Sequence, residues 1–211
     1  MIFLAFEGLD GSGKSTLMRQ LEEHLSEKKI SFLKTREPGG TPVGDQLREI
    51  ILKKSSDAPT ARTELLLYEA SRAQHVDCVI RPALEQKKWV LCDRFSASSI
   101  AFQAGGRQIS ESQVEWLNDF ATGSLEPHLN ILLDLTVEES KKRRVNRATQ
   151  VGVAEDRMES EAELFHQRVR KAFLDQGQKK PKAWLILDAS QTPEKLFELL
   201  KTELKERQWL A

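Results

Sequence analysis

The run Gly8-Leu9-Asp10-Gly11-Ser12-Gly13-Lys14-Ser15 places glycines, a lysine and a hydroxyl at the spacing G-x-x-x-x-G-K-[ST]. Glycines let such a loop curl until successive N–H groups face one anion, and the start of a helix adds its partial positive charge. Lys14 would then reach the terminal phosphates, Ser15 would ligate Mg²⁺, and Thr16 would carry the cradle into the helix. This chemistry takes ATP with Mg²⁺, but it leaves open what becomes of the γ-phosphate. The same letters also read as a glycine-rich turn. The apolar run before them and the helix-patterned segment after them favour the phosphate cradle.

Five other groups of residues could do chemistry. Arg36-Glu37-Pro38-Gly39-Gly40-Thr41 follows a second apolar run, where a Pro-Gly-Gly turn is equally a plain loop signal. Tyr68, Arg72 and His75 stand at i, i+4 and i+7 beside an apolar stripe, which reads either as a ligand face or as a core-edge Tyr with a snorkelling Arg. Asp93 and Arg94 end a third apolar run; an Asp there can hold the metal's water and an Arg can fork onto a phosphate, or the Asp can simply cap the next helix. Ser99 and Gln103 lie one helical turn apart with Phe102 beside them. Last, Lys141-Lys142-Arg143-Arg144-x-x-Arg147 sets Arg143 and Arg147 on one helix face; a basic run of this kind is otherwise a solvated surface.

The elements that must position these residues are legible as short β-rich runs at 2–6, 31–35, 89–92, 130–135 and 183–187, each separated from the next by a helix-patterned segment. Five strands with helical crossovers imply a parallel sheet covered on both faces, hence an α/β fold of three layers. Thr136 with Glu139 makes a capping box, and Thr192-Pro193-Glu194 opens a final helix. A long helix is expected from about residue 60 to 86. The stretch 147–155, containing Gly152, is expected to be irregular and to belong to a mobile lid at about 143–157.

Composition narrows the classes. The 211 residues fit one domain, residues 1–211. Lys plus Arg equals Asp plus Glu at 32 each, so the bulk positive field that holds a protein on nucleic acid or anionic lipid is missing. Cys78 and Cys92 lie in apolar stretches without metal spacing and read as small buried hydrophobes in a reducing compartment. No apolar run approaches the ~18 residues that cross a bilayer, and the first residues form a strand pattern rather than a signal, so the expected location is the cytoplasm.

Taken together, Arg36-Glu37-Pro38-Gly39-Gly40-Thr41, Tyr68-x-x-x-Arg72-x-x-His75, Asp93-Arg94-Phe95 and Phe102-Gln103-x-Gly105-Gly106-Arg107 closely resemble the thymidylate kinases, over a span running from Ile2 to the last helix. The resemblance implies the P-loop nucleoside monophosphate kinase fold and transfer of a phosphoryl group from ATP to dTMP. It also implies that Arg36, Pro38 and Arg48 help grip the acceptor phosphate, that Arg94 holds that phosphate, and that Asp93 orders the metal shell. Asp10 would face the acceptor's sugar and phosphate. Tyr68, often Phe in the family, would pack on the thymine ring; Arg72 would donate to a base carbonyl. Ser99, where relatives often carry Asn or Thr, and Gln103 would meet the base edge, with Phe102 against the sugar. Some members carry a catalytic arginine inside the phosphate loop where this chain has Gly11, so Arg143 and Arg147 take that role here, with Asp156 and Arg157 latching the lid. Similar enzymes are homodimers, and the helix from residue 60 is the expected contact. Two alternatives share the phosphate loop: another nucleoside monophosphate kinase or a small-metabolite kinase of the same fold, and a nucleotide-dependent switch.

Overall fold

The computed structural model describes residues 1–152 and 155–210. Five strands, β1 (Phe3–Glu7), β2 (Phe32–Arg36), β3 (Trp89–Asp93), β4 (Leu129–Asp134) and β5 (Trp184–Asp188), pair in parallel in the order β2-β3-β1-β4-β5. The five expected runs match them to within a residue or two. β1, β3 and β4 are the strands buried almost throughout, as the centre of a doubly covered sheet requires.

The helices are α1 (Lys14–Glu27), α2 (Pro42–Leu52), α3 (Ala61–His75), α4 (Arg81–Glu85), α5 (Ser96–Ser99), α6 (Glu111–Thr122), α7 (Val137–Val151), α8 (Glu163–Lys179) and α9 (Pro193–Glu206). On one side of the sheet, Leu17, Leu21 and Leu25 of α1 meet Leu196, Leu200 and Leu204 of α9, over Leu4, Phe6, Leu91 and Ile131. The i, i+4 spacing of both leucine sets gives each helix one apolar stripe. On the other side, Val76 and Ile80 pack with Phe3, Cys92 and Phe95, while Phe102, Phe165 and Phe173 cover Leu132 and Trp184. The result is a three-layer α/β fold.

Local chemistry sets the helix ends. Thr41, Thr136 and Thr192 each accept a hydrogen bond from the backbone N–H three residues on, and Pro42 and Pro193 occupy first-turn positions. Glu139 does not close the capping box; its carboxylate turns to Arg143 instead.

Three expectations are corrected. The helix expected at 60–86 is α3 and α4 joined by a π-helical turn, Val76–Ile80, just before Pro82. That turn leaves Cys78 exposed rather than buried, whereas Cys92 is inside. The first part of the stretch expected to be irregular, residues 147–151, is helical, because α7 continues to Val151 and stops where Gly152 adopts a left-handed conformation at φ 70°. Residues 153 and 154 of the expected lid lie outside the described residues.

Among the described residues, no helix is long and apolar enough to cross a membrane. The chain leaves β1 toward one side of the sheet and β4 toward the other, which opens a crevice above their carboxyl ends.

Candidate functional site

The loop after β1 fills that crevice. Gly8 has φ 132°, and a Cβ there would stand 2.5 Å from the Leu133 carbonyl of β4, so only glycine lets the loop leave the strand along this path. Gly11 (φ 79°) and Gly13 (φ 97°) complete the curl, and α1 begins at Lys14 with its first N–H groups free of helical partners. Ser12 is buried with no partner for its hydroxyl among the described residues, and Leu9 joins the apolar cluster of Phe102 and Met158. Lys14 Nζ donates to the carbonyls of Gly8 at 3.1 Å and Leu9 at 3.2 Å. Burial, then the charge of Arg94, lowers the Lys14 pKa from its ordinary value.

Arg94 sits at the end of β3 in a left-handed conformation, φ 71°, with its N–H bonded to Phe6 O. Its side chain returns across β1 to the loop, donating to Gly8 O at 2.9 Å and to Asp10 Oδ1 at 2.9 Å. Burial alone would raise the Asp10 carboxyl, but Arg94 and Lys14 hold it well below the usual carboxylate range. Burial likewise opposes the charge on Arg94, yet Asp10, Asp93 and Glu7 keep that guanidinium above its ordinary value. The guanidinium also covers the Phe102 ring, 5.0 Å from its centroid.

Two cavities meet at this point. One holds Gly11, Gly13, Lys14, Ser15, Thr16 and Asp93 of the crevice, together with Arg36, Arg143 and Arg147. The other, with about 480 Å³ of open space, is lined by Pro38, Tyr68, Ser99, Phe102 and Gln103, with Leu52, Asp156 and Met158. Asp10, Glu37, Arg48 and Arg94 line both, so these four form a common wall.

Arg72 is absent from both linings. It is 1% exposed and points its donors at Glu37 (2.8 Å), Glu69 (2.6 Å), Ser99 (2.8 Å), Asn118 (2.7 Å) and Phe95 O (3.1 Å). Ser99 therefore meets the inner cavity with a hydroxyl already engaged by Arg72 and Glu69. His75 is also buried, between Glu37 and Thr35. Arg36 opens to solvent and pairs with Asp45 at 3.2 Å, while Arg48 Nη1 braces Pro38 O at 3.0 Å. Phe102 is largely core, packed on Phe165 and Phe173.

From α7, Ser140 donates to Asp10 O at 2.7 Å, and Arg143 reaches Gly11 O, Ala189 O and Glu139. A Cβ on Gly11 would sit 3.2 Å from that of Arg143, so α7 lies directly on the loop. Arg147 faces the same cavity while paired with Glu159, and Asp156 accepts from the Glu159 N–H at 2.9 Å. Arg157 ties the segment to α2 through Ile51 O at 2.7 Å.

Sequence reasoning gave no role to Glu7, Glu64, Glu69 or Asn118. For Glu7 a signal was present: a carboxylate at the end of a strand whose other residues are all apolar. Its oxygens accept from Phe95 N at 2.8 Å and Ser98 Oγ at 2.6 Å, which fixes the corner that carries Arg94.

A family model described as Thymidylate kinase matches residues 6–200. A thymidylate kinase of Bdellovibrio bacteriovorus is 60% identical over 210 residues, covering 100% of this chain and 98% of its own. Thymidylate kinases of Geotalea uraniireducens (45% identical, 90% of this chain and 89% of its own) and Symbiobacterium thermophilum (40%, 92% and 88%) are similar along the same span.

Burial, opposed by the Arg94 charge and the Ser98 and Phe95 hydrogen bonds, raises the Glu7 carboxyl from 4.5 to about 7. A value raised on folding favours the folded state below the unfolded value, and that contribution is lost as pH rises through the folded one. The gap corresponds to about 3 kcal/mol. Glu7→Gln should therefore gain stability relative to the parent between about pH 5 and pH 8, by roughly this amount. Urea melts of both proteins at the two pH values measure it, and a difference that does not change with pH contradicts it.

Proposed function

The chain belongs to the thymidylate kinase family, and we infer from that membership and from the paired cavities that it transfers the γ-phosphoryl group of ATP to dTMP, giving dTDP and ADP. The observation that carries this reading is the common wall: a kinase that joins two phosphates needs two anion sites in contact, whereas a nucleotide-dependent switch needs one.

In this reading the loop from Gly8 to Thr16 cradles the ATP phosphates and Lys14 spans the terminal ones. The inner cavity takes dTMP, with its phosphate toward Arg94, Arg48 and Arg36 and its base toward Tyr68, Ser99, Phe102 and Gln103. Arg72 acts from beneath, shaping that end of the cavity through Ser99 and Glu37; a direct bond to the base requires one of its buried contacts to exchange. Arg94 touches both sites and so bridges donor and acceptor charge. Arg143 and Arg147 deliver charge from α7, Arg147 by leaving Glu159. No general base is required, because the acceptor phosphate is already ionised at neutral pH.

The residues fit Mg²⁺. Among the described residues Asp93 Oδ1 is buried without a hydrogen-bond partner, and Ser15 lines the same cavity, a donor set of hard oxygens. Among the described residues no group of three or more acidic, His or Cys side chains is placed to hold a metal ion by itself. When bound, the ion would neutralise charge on the ATP phosphates, with Ser15 and Asp93 holding it.

We further propose a lid at about 143–157, cytoplasmic location and a homodimer. Trp116 and Phe120 of α6 stack at 6.0 Å while 66% and 75% exposed, and Leu66 of the adjoining α3 is 54% exposed. That apolar surface suits a second copy of the chain.

ADP release measured with dTMP, dUMP, AMP and GMP should be highest with dTMP, and ATP hydrolysis indifferent to all four would refute the kinase reading. With Arg147→Ala, kcat should fall by about 10³-fold with little change in the KM for ATP; an unchanged kcat removes the role. Light scattering should find the parent at twice the chain mass and Phe120→Asp at the chain mass, and a monomeric parent rules out the dimer.

A further inference from the structure

Glu64, on the first turn of α3, is completely buried and collects an unusual number of donors. Arg107 grips it through Nε at 3.1 and 3.2 Å and through Nη2 at 2.9 Å, and Arg157 Nη1 stands 2.7 Å from Oε2. The remaining contact comes from Gln103, whose Nε2 donates to Glu64 Oε1 at 2.9 Å. Gln103 itself is 1% exposed and lines the inner cavity.

We infer that Glu64 is a positioning residue that fixes which end of the Gln103 amide meets the pyrimidine, and thereby discriminates against cytosine. The inference rests on the reading of Gln103 as a base contact. A carboxylate held between two guanidiniums accepts hydrogen bonds and does not donate them, so the amide must turn its nitrogen to Glu64. This leaves Gln103 Oε1, with the second N–H of Nε2 beside it, as the pair offered to a ligand.

Thymine matches that pair: its N3–H donates and its O4 accepts. Cytosine presents the reverse, an accepting N3 beside a donating amino group. To meet cytosine the amide would have to turn over, which sets Oε1 against Glu64 Oε1, two acceptors face to face, and strips the carboxylate of a donor. Both costs fall on the wrong base alone, which is how a buried polar site selects against a competitor. Because Arg157 also holds the chain just after the lid to Ile51 O, the same carboxylate ties the base-reading end of the cavity to the lid's attachment.

The test is the ratio of kcat/KM for dTMP to that for dCMP in the parent, Glu64→Gln, Glu64→Asp and Gln103→Ala. A glutamine at position 64 can accept or donate, so it permits either amide orientation. The ratio should fall by about tenfold or more in Glu64→Gln, with the KM for ATP unchanged, and should stay near the parent's in Glu64→Asp. A folded Glu64→Gln that keeps the parent's ratio, while Gln103→Ala lowers it, overturns the inference and leaves the base contact standing. If Gln103→Ala also keeps the ratio, the base contact itself is wrong. Should Glu64→Gln not fold, the Gln103 side-chain amide of the ligand-free parent, assigned by its loss in Gln103→Ala, decides by ¹H–¹⁵N NMR. Two widely separated, slowly exchanging proton signals support a fixed amide, and signals at free-amide positions overturn it.

Discussion

The Gly8 carbonyl accepts from two cations, Lys14 at 3.1 Å and Arg94 at 2.9 Å. One arrives from the first turn of α1 and the other from the end of β3, so two parallel neighbours, β1 and β3, must hold register for both to reach it. Like charges this close repel, and the depressed pKa of Lys14 records part of that cost. The carboxylates of Asp93, Asp10 and Glu7 offset part of it. Two cations converging on one carbonyl leave a concentration of positive charge that a phosphate chain in the crevice would complement.

The rest of the architecture keeps that arrangement fixed. Arg94 adopts a left-handed backbone conformation, and its corner is held by Phe6 O, by Glu7 and by an aromatic ring under the guanidinium. Beneath the inner cavity, Arg72 joins the loop after β2 to α3, α5 and α6 through Glu37, Glu69, Ser99 and Asn118, while Glu64 joins α3 to Arg157. Networks of this kind are worth little as net stability, since desolvation consumes most of their attraction. Their value is geometric: each leaves a side chain of the cavity a single orientation.

What could be read from the chain alone follows physical range. Strands, caps and the phosphate loop are set by residues within a few positions of one another, so an apolar run before Gly8 or a Thr before Pro193 is diagnostic by itself. The cavity residues Pro38, Arg48, Tyr68, Arg94, Phe102 and Gln103 were legible because a family resemblance supplies long-range information that spacing lacks. Arg72 shows the limit: its place on the helix was legible, but its acidic partners come from the loop after β2 and its own helix and its polar ones from α5 and α6, and no local pattern announces them. Glu64 was invisible for a related reason, since one glutamate in an amphipathic helix looks like a solvent-facing residue until Arg107 and Arg157 are folded onto it. The π-helical turn at Val76–Ile80 and the extra turns of α7 were missed because a helix's continuation depends on packing and caps more than on propensity.

Everything proposed for the reaction turns on donor and acceptor phosphates sharing one wall, formed by Asp10, Glu37, Arg48 and Arg94. A ligand in which adenosine and thymidine are joined 5′ to 5′ through an oligophosphate tests it directly by inhibition kinetics. One molecule should bind per chain and compete against both ATP and dTMP. Competition with only one of the two, or separate binding of two molecules per chain, would contradict it.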